Sequence, residues 1–140
     1  MADREEKTSG RFHWVHDYLL SMPGLSTNRQ TDWNWQRYYV GDKMFAALAY
    51  DEQNTLICIT LKLPPEEGEL LRKQYTRFLP GYYMNKQHWN SIYTDSDITD
   101  EALKLILDHA WQTGFQALTK KKQREINESI FEGSDSNGNL

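Results

Sequence analysis

The chain has 140 residues, a formal charge of −4 and 39% hydrophobic content, of which 13% of all residues are aromatic. Five tryptophans supply enough large apolar surface for one folded domain, which excludes a disordered polar chain. One cysteine, Cys58, excludes an internal disulfide framework and a cysteine-built zinc site. No stretch approaches the ~18 uninterrupted apolar residues of a membrane helix, so no membrane partner is expected. The charged start MADREEKTSGR has no apolar run behind it, so it is not read as a signal peptide, and a cytoplasmic protein is expected.

Taken in chain order, residues 1–8 are expected to be a flexible N-terminus. In SGRFHWVHDYLLSM, Phe12, Val15, Leu19 and Met22 recur at helical spacing, with Ser9 as cap and Pro23-Gly24 as stop. LSTNRQTD reads as polar and turn-rich. WNWQRYYV alternates, which places Trp33, Trp35, Arg37 and Tyr39 on one face of a strand. KMFAALAY is a second strand, and TLICITLKL a third, apolar on both faces and therefore central. PPEEGELLRKQY reads as a helix with acids in the first turn and bases in the last, matching the macrodipole. A Pro80-Gly81 turn and a short strand over HWNSIYT follow, with Gly81 a candidate for positive φ. From Glu101 the spacing of Ala102, Leu105, Ile106, Ala110, Phe115 and Leu118 predicts a long amphipathic helix capped by Thr99. The expected fold is α+β: an antiparallel sheet meander with helices packed on one face, in the order α-β-β-β-α-β-α. A single domain is expected over 9–124, followed by an acidic, largely disordered tail over 125–140.

Charge is unevenly spread. The tail carries Glu125, Glu128, Glu132 and Asp135, and residues 1–124 balance to zero. Arg72, Lys73, Arg77 and Lys86 lie in a stretch without acids, and TKKKQR adds Lys120, Lys121, Lys122 and Arg124. Local clusters of this kind decide whether a surface attracts phosphate, although many are simply solvated faces.

Known catalytic motifs are missing. The chain has no Gly-rich phosphate loop, no GxSxG and no HExxH. Cys58 between two isoleucines reads as a buried thiol. His13, His16 and Asp17 share a helix face but read as solvated polar groups, and His109 reads as structural. The pairs Glu66/Glu67 and Asp100/Glu101 sit where helix first turns favour acids. No catalytic residue, metal site or cofactor is therefore expected, and an enzyme is the lesser reading. The stretch YYMNKQHW, residues 82–89, is the densest in site-like chemistry. In an extended segment Lys86 and His88 point one way, and Asn85, Gln87 and Trp89 the other. Beside Tyr82 this suits an anionic ligand or a stacked base; alternatively Trp89 and Tyr82 are core and Asn85 caps the turn.

The motifs YVGDKMFAAL (39–48), LKLPPEEGELLRKQY (61–75), PGYYMNKQHWNSIY (80–93) and ITDEALKLILDHAW (98–111), with PGL at 23–25, resemble those of the MmcQ/YjbR family of small bacterial proteins. The hallmark run falls on Pro80, Gly81, Tyr82, Asn85, Lys86, His88 and Trp89. Ala110-Trp111 departs from the family's Ser-Tyr pair, which puts a partner contact by that serine in doubt. The resemblance implies a CyaY-like or double-wing fold and a DNA-binding label. On that reading, Arg72, Lys73, Arg77, Lys86 and Lys120–Lys122 contact phosphates, and Tyr82, Asn85, His88 and Trp89 shape the site. The alternatives are a protein-interaction module and a small-ligand site at the PGYxxNKxHW turn. The first helix carries one acid, which argues against a frataxin-like iron site. A monomer is expected.

Overall fold

The computed structural model describes residues 10–30, 34–81, 85 and 87–138; Ser9, Trp33, Tyr82 and Lys86 lie outside them. Helix α1 (Val15–Leu20) buries Val15 and Leu19 and ends at Ser21, ahead of Pro23-Gly24. Arg11, just before it, donates to the carbonyls of Thr94, Ser96 and Ile98, which ties this end of the chain to a distant loop.

Strands β1 (Leu25–Gln30), β2 (Trp35–Val40), β3 (Lys43–Tyr50) and β4 (Leu56–Lys62) form a meander. Helix α2 (Pro65–Gln74) leads to the short β5 (Phe78–Pro80) and to β6 (Trp89–Tyr93), and helices α3 (Asp100–Gln116) and α4 (Lys120–Gly138) complete the chain. The sheet order is β1-β2-β3-β4-β6-β5, and every pairing is antiparallel. The α+β class and the sheet with helices on one face are as the sequence predicts.

The element count differs from the expected order in three places. LSTNRQ is not a turn but edge strand β1, paired along its length with β2 from Leu25↔Val40 to Gln30↔Trp35. Its polarity follows from its place: an edge strand buries little and presents a free backbone edge to water. FLP is a three-residue edge strand, and Pro80 closes it where a missing N–H costs least. The long last helix is two helices. The break falls at Ala117–Thr119, and the Thr119 hydroxyl accepts from the Lys122 amide 3.2 Å away to start α4. Residues 125–138, expected in a disordered tail, continue α4.

The core lies between one sheet face and α1 and α3. From α3 it takes Leu103, Ile106, Leu107 and Ala110, from the sheet Tyr38, Leu48, Ile59, Leu61 and Ile92. Each large apolar side chain so buried is worth ~1.5–3 kcal/mol. Thr99 caps α3 as expected, its hydroxyl accepting from the Ala102 amide at 3.1 Å. Gly114 lets α3 touch the sheet, since a Cβ there would lie 2.8 Å from Val40 Cγ1. Polar contacts also join helices: α3 to α2 through His109 Nδ1 and Glu67 Oε2 at 2.6 Å, and α1 to α3 through Tyr18 and Asp108 at 2.9 Å.

Candidate functional site

Strand register divides the sheet into two faces. Tyr38, Ala46, Leu61 and Asn90 are cross-strand neighbours. They face the helices, because Tyr38 meets His16 of α1 at 2.7 Å and Asn90 accepts from Arg72 of α2. Alternation then turns Arg37, Ala47, Thr60 and Ser91 to the opposite face. On either side of that row lie Trp35, Ala49, Cys58 and Tyr93 toward one end of the strands, and Tyr39, Met44, Lys62 and Trp89 toward the other.

This open face has a floor of small side chains. Ala47, Cys58, Thr60 and Ser91 are each no more than 7% exposed. The floor is polar at its centre, where the Thr60 and Ser91 hydroxyls share a hydrogen bond of 3.2 Å. Burial pushes the Cys58 thiol above its ordinary pKa, so it is an inert floor residue, not a nucleophile. Trp35, Arg37 and Tyr39 flank the floor on the β2 side, each half-buried, as the alternation in WNWQRYYV predicts. Arg37 donates to Asn28 at 2.8 Å. On the β6 side Arg77 stacks over the Tyr93 ring at 4.4 Å and pairs with Asp95 at 2.9 Å. That pair is solvent-exposed, so it is weak. It raises the Arg77 pKa and lowers that of Asp95. At neutral pH the site keeps its cation.

The hallmark turn is built by its own residues. The Asn85 side chain accepts from the Gln87 amide at 2.9 Å, and its carbonyl accepts from the His88 and Trp89 amides at 3.2 and 2.9 Å. The His88 carbonyl accepts from Leu63 at 2.7 Å, which anchors the turn to the end of β4. Gly81 is not at positive φ. Its role is close approach: a Cβ would lie 2.9 Å from Trp89 Cβ and 3.2 Å from the Trp89 carbonyl carbon. Because one neighbour is backbone, Gly81→Ala is expected to destabilise the chain by ~1–3 kcal/mol, read from urea midpoints. A change below ~0.5 kcal/mol would show that the contact relaxes freely.

Among the described residues, the cations singled out by sequence sit in three places. Arg72 points into the helix layer, to Asn90, while Lys73 is exposed and pairs with Glu69 one turn back. Arg77 lies on the open face beside Tyr93. Lys120, Lys121 and Lys122 occupy the first turn of α4, next to the β2–β3 turn, where Lys122 holds Asp42 at 2.7 Å. Trp89 and Tyr93 bound β6, so Arg77 is ~13 Å along the strand from the hallmark turn. Asn85, His88 and Trp89 are brought together. Lys62, Tyr93 and the small floor were not singled out from sequence, because register alone sets them beside Arg37 and Trp89. Ala110, at the family departure, is fully buried, so this position faces the core. Trp111 donates to the Pro23 carbonyl at 2.9 Å and stacks on Phe115. Among the described residues no cluster of metal-ligating side chains occurs, and no helix is long and apolar enough to cross a membrane.

A six-stranded antiparallel sheet, helices on one face and a cation-bearing aromatic face opposite define a small α+β sheet domain. A family model described as YjbR matches residues 20–113, and the chain belongs to that family. It is 29% identical over 107 residues to Escherichia coli K12 YjbR, covering 76% of this chain and 89% of that one. To YbdF of Escherichia coli O157:H7 it is 29% identical over 89 residues, covering 64% and 71%. Among solved structures, Deinococcus radiodurans DR2400, described as a DUF419 domain, superposes with a TM-score of 0.73 at 24% identity over 86% of this chain and 90% of that one. A Pseudomonas syringae protein superposes with a TM-score of 0.62 at 19% identity, over 74% and 98%. These two likenesses establish the fold.

Proposed function

We propose that the open face of the sheet binds nucleic acid, with single-stranded DNA the favoured form. One observation carries the reading. Among the described residues of this face, Arg37, Lys62 and Arg77 supply cations, Trp35, Tyr39 and Tyr93 supply rings, and the Asp95 carboxylate is held by Arg77. Cations follow a phosphate backbone, and rings stack with bases of any sequence. A single strand fits better than a duplex, because its bases are unstacked and its backbone can follow a twisted sheet.

Anisotropy of labelled single- and double-stranded DNA tests this on the full chain. With three phosphate contacts, affinity for the single strand should fall about twentyfold between ~50 and ~200 mM salt. Affinity that does not change with salt, or no binding at micromolar protein, would sink the reading.

A further inference from the structure

On the helix side, at the opposite surface, α1 with the turn before it and the β3–β4 hairpin form an open cavity of about 330 Å3. That volume is at the lower end of small-molecule sites. Phe12, Leu48 and Leu56 make its apolar wall, and His13, His16, Tyr50 and Asn54 its polar part. Among the described residues no carboxylate lines it. We propose that this cavity binds a small organic anion, a carboxylate or phosphate monoester with an apolar body.

Three features carry the inference. First, the polar groups can hydrogen-bond to a ligand. Nδ1 of His16 is engaged by the Tyr38 hydroxyl at 2.7 Å and Nδ1 of His13 lies 3.3 Å from the Gly10 carbonyl. Burial raises the Tyr50 pKa, so its phenol stays neutral and can donate. Second, a positive charge stands behind the cavity, and among the described residues no counter-charge meets it. Arg29 stacks over the Tyr50 ring at 4.6 Å and donates to Asn54 Oδ1 at 2.8 Å, to Asn34 Oδ1 at 2.5 Å and to Gln36 Oε1 at 3.5 Å. All three acceptors are neutral amides. Among the described residues, no carboxylate forms an ion pair with Arg29. Asp17, the acid that acts on Tyr38 from α1, does not line the cavity. With Oδ1 committed to Arg29, the Nδ2 group is the end of Asn54 that can donate inward. Third, left-handed backbone gathers around the cavity. Of the four described non-glycine residues at positive φ, Phe12 (68°) and Asn54 (64°) line the cavity and Asn34 (56°) grips Arg29. A bulky residue such as Phe12 adopts this conformation rarely, and such strain concentrates at ligand sites.

Benzoate and phenyl phosphate are suitable probes, with benzyl alcohol as the neutral control, followed by backbone amide NMR of the full chain. Benzoate or phenyl phosphate should shift the amides of Phe12–His16 and Leu48–Leu56, and the stronger of the two identifies the preferred anion. Asn54→Gly keeps the positive φ accessible while removing the donor, so the fold is retained and affinity should drop about tenfold, as for one charge-assisted hydrogen bond. Equal affinity for benzyl alcohol would overturn the anion assignment. Absence of shifts at ~10 mM probe, affinities too weak for any specific site, would overturn the site, as would shifts confined to the open face. Neither result bears on DNA binding, which uses the other side of the sheet.

Discussion

Arg37→Glu is expected to weaken binding of single-stranded DNA about fiftyfold at ~50 mM salt. Each phosphate contact to a single strand contributes a slope near −0.7, so losing one at that salt costs ~8-fold, and reversing the charge roughly squares the loss. The variant should fold normally, because Arg37 is only half-buried and its side chain bonds to the Asn28 side chain at the sheet edge. Unchanged melting alongside weaker binding therefore separates function from stability. Lys121→Glu is the matched control. Lys121 is exposed on α4, beside the β2–β3 turn and away from the floor, so its reversal should change affinity less than about threefold. If the two substitutions have equal effects, general basicity binds the strand and the open face has no special part. If Lys121→Glu has the larger effect, the α4 lysines are the contact and the sheet assignment fails. Arg77→Glu extends the comparison, since it removes the cation over Tyr93 and sets a second carboxylate beside Asp95.

What the sequence made legible was whatever depends on local periodicity. Alternation in WNWQRYYV put Trp35, Arg37 and Tyr39 on one face, and the helix with Glu66 and Glu67 first and Arg72 and Lys73 last lies where its charge order predicts. Thr99 capped the helix it was expected to cap. Strand β1 was hidden because its residues are polar, and an edge strand is specified by its neighbour more than by its own composition. Gly81 was assigned to the wrong cause: φ and close approach both select glycine, and only the position of Trp89 distinguishes them. The site was less legible than the fold. Lys62, Cys58, Thr60 and Ser91 become one surface through the pairings Lys62↔Trp89, Cys58↔Tyr93 and Thr60↔Ser91, and no spacing rule fixes register across a helix and a second strand. The cluster of Arg29, Tyr38, Tyr50 and Asn54 is likewise assembled from three strands and a turn. In sequence it reads as scattered polar residues.

A double-mutant cycle between Gly68 and Asn90 should show strong coupling with a reversal of sign. Asn90 is fully buried on the helix face, accepts from Arg72 and donates through Nδ2 to the His88 carbonyl at 3.4 Å. It thereby links α2, β6 and the hallmark turn. Gly68 in α2 sits directly over it, and a Cβ at that position would lie 2.9 Å from Oδ1 and 3.0 Å from Nδ2. Held from two sides, the amide cannot swing away. Gly68→Ala alone should therefore destabilise by ~1–2 kcal/mol, because overpacking outweighs the ~1 kcal/mol that alanine gains over glycine in a helix. Asn90→Ala alone should cost ~2–4 kcal/mol, from the lost charge-assisted bond and the space it leaves. In the Asn90→Ala background only the Arg72 guanidinium, 3.1 Å from that Cβ and the far end of a flexible side chain released from Asn90, remains nearby, and Gly68→Ala should stabilise by up to ~1 kcal/mol. The expected coupling is ~2–3 kcal/mol, well above the ~0.5 kcal/mol within which independent sites add. Urea midpoints of the four proteins measure it. Additive effects would mean that glycine at 68 answers to something other than Asn90. A reversal would identify the Gly68–Asn90 contact as what sets the distance between α2 and the sheet, and with it the position of His88 and the turn that borders the open face.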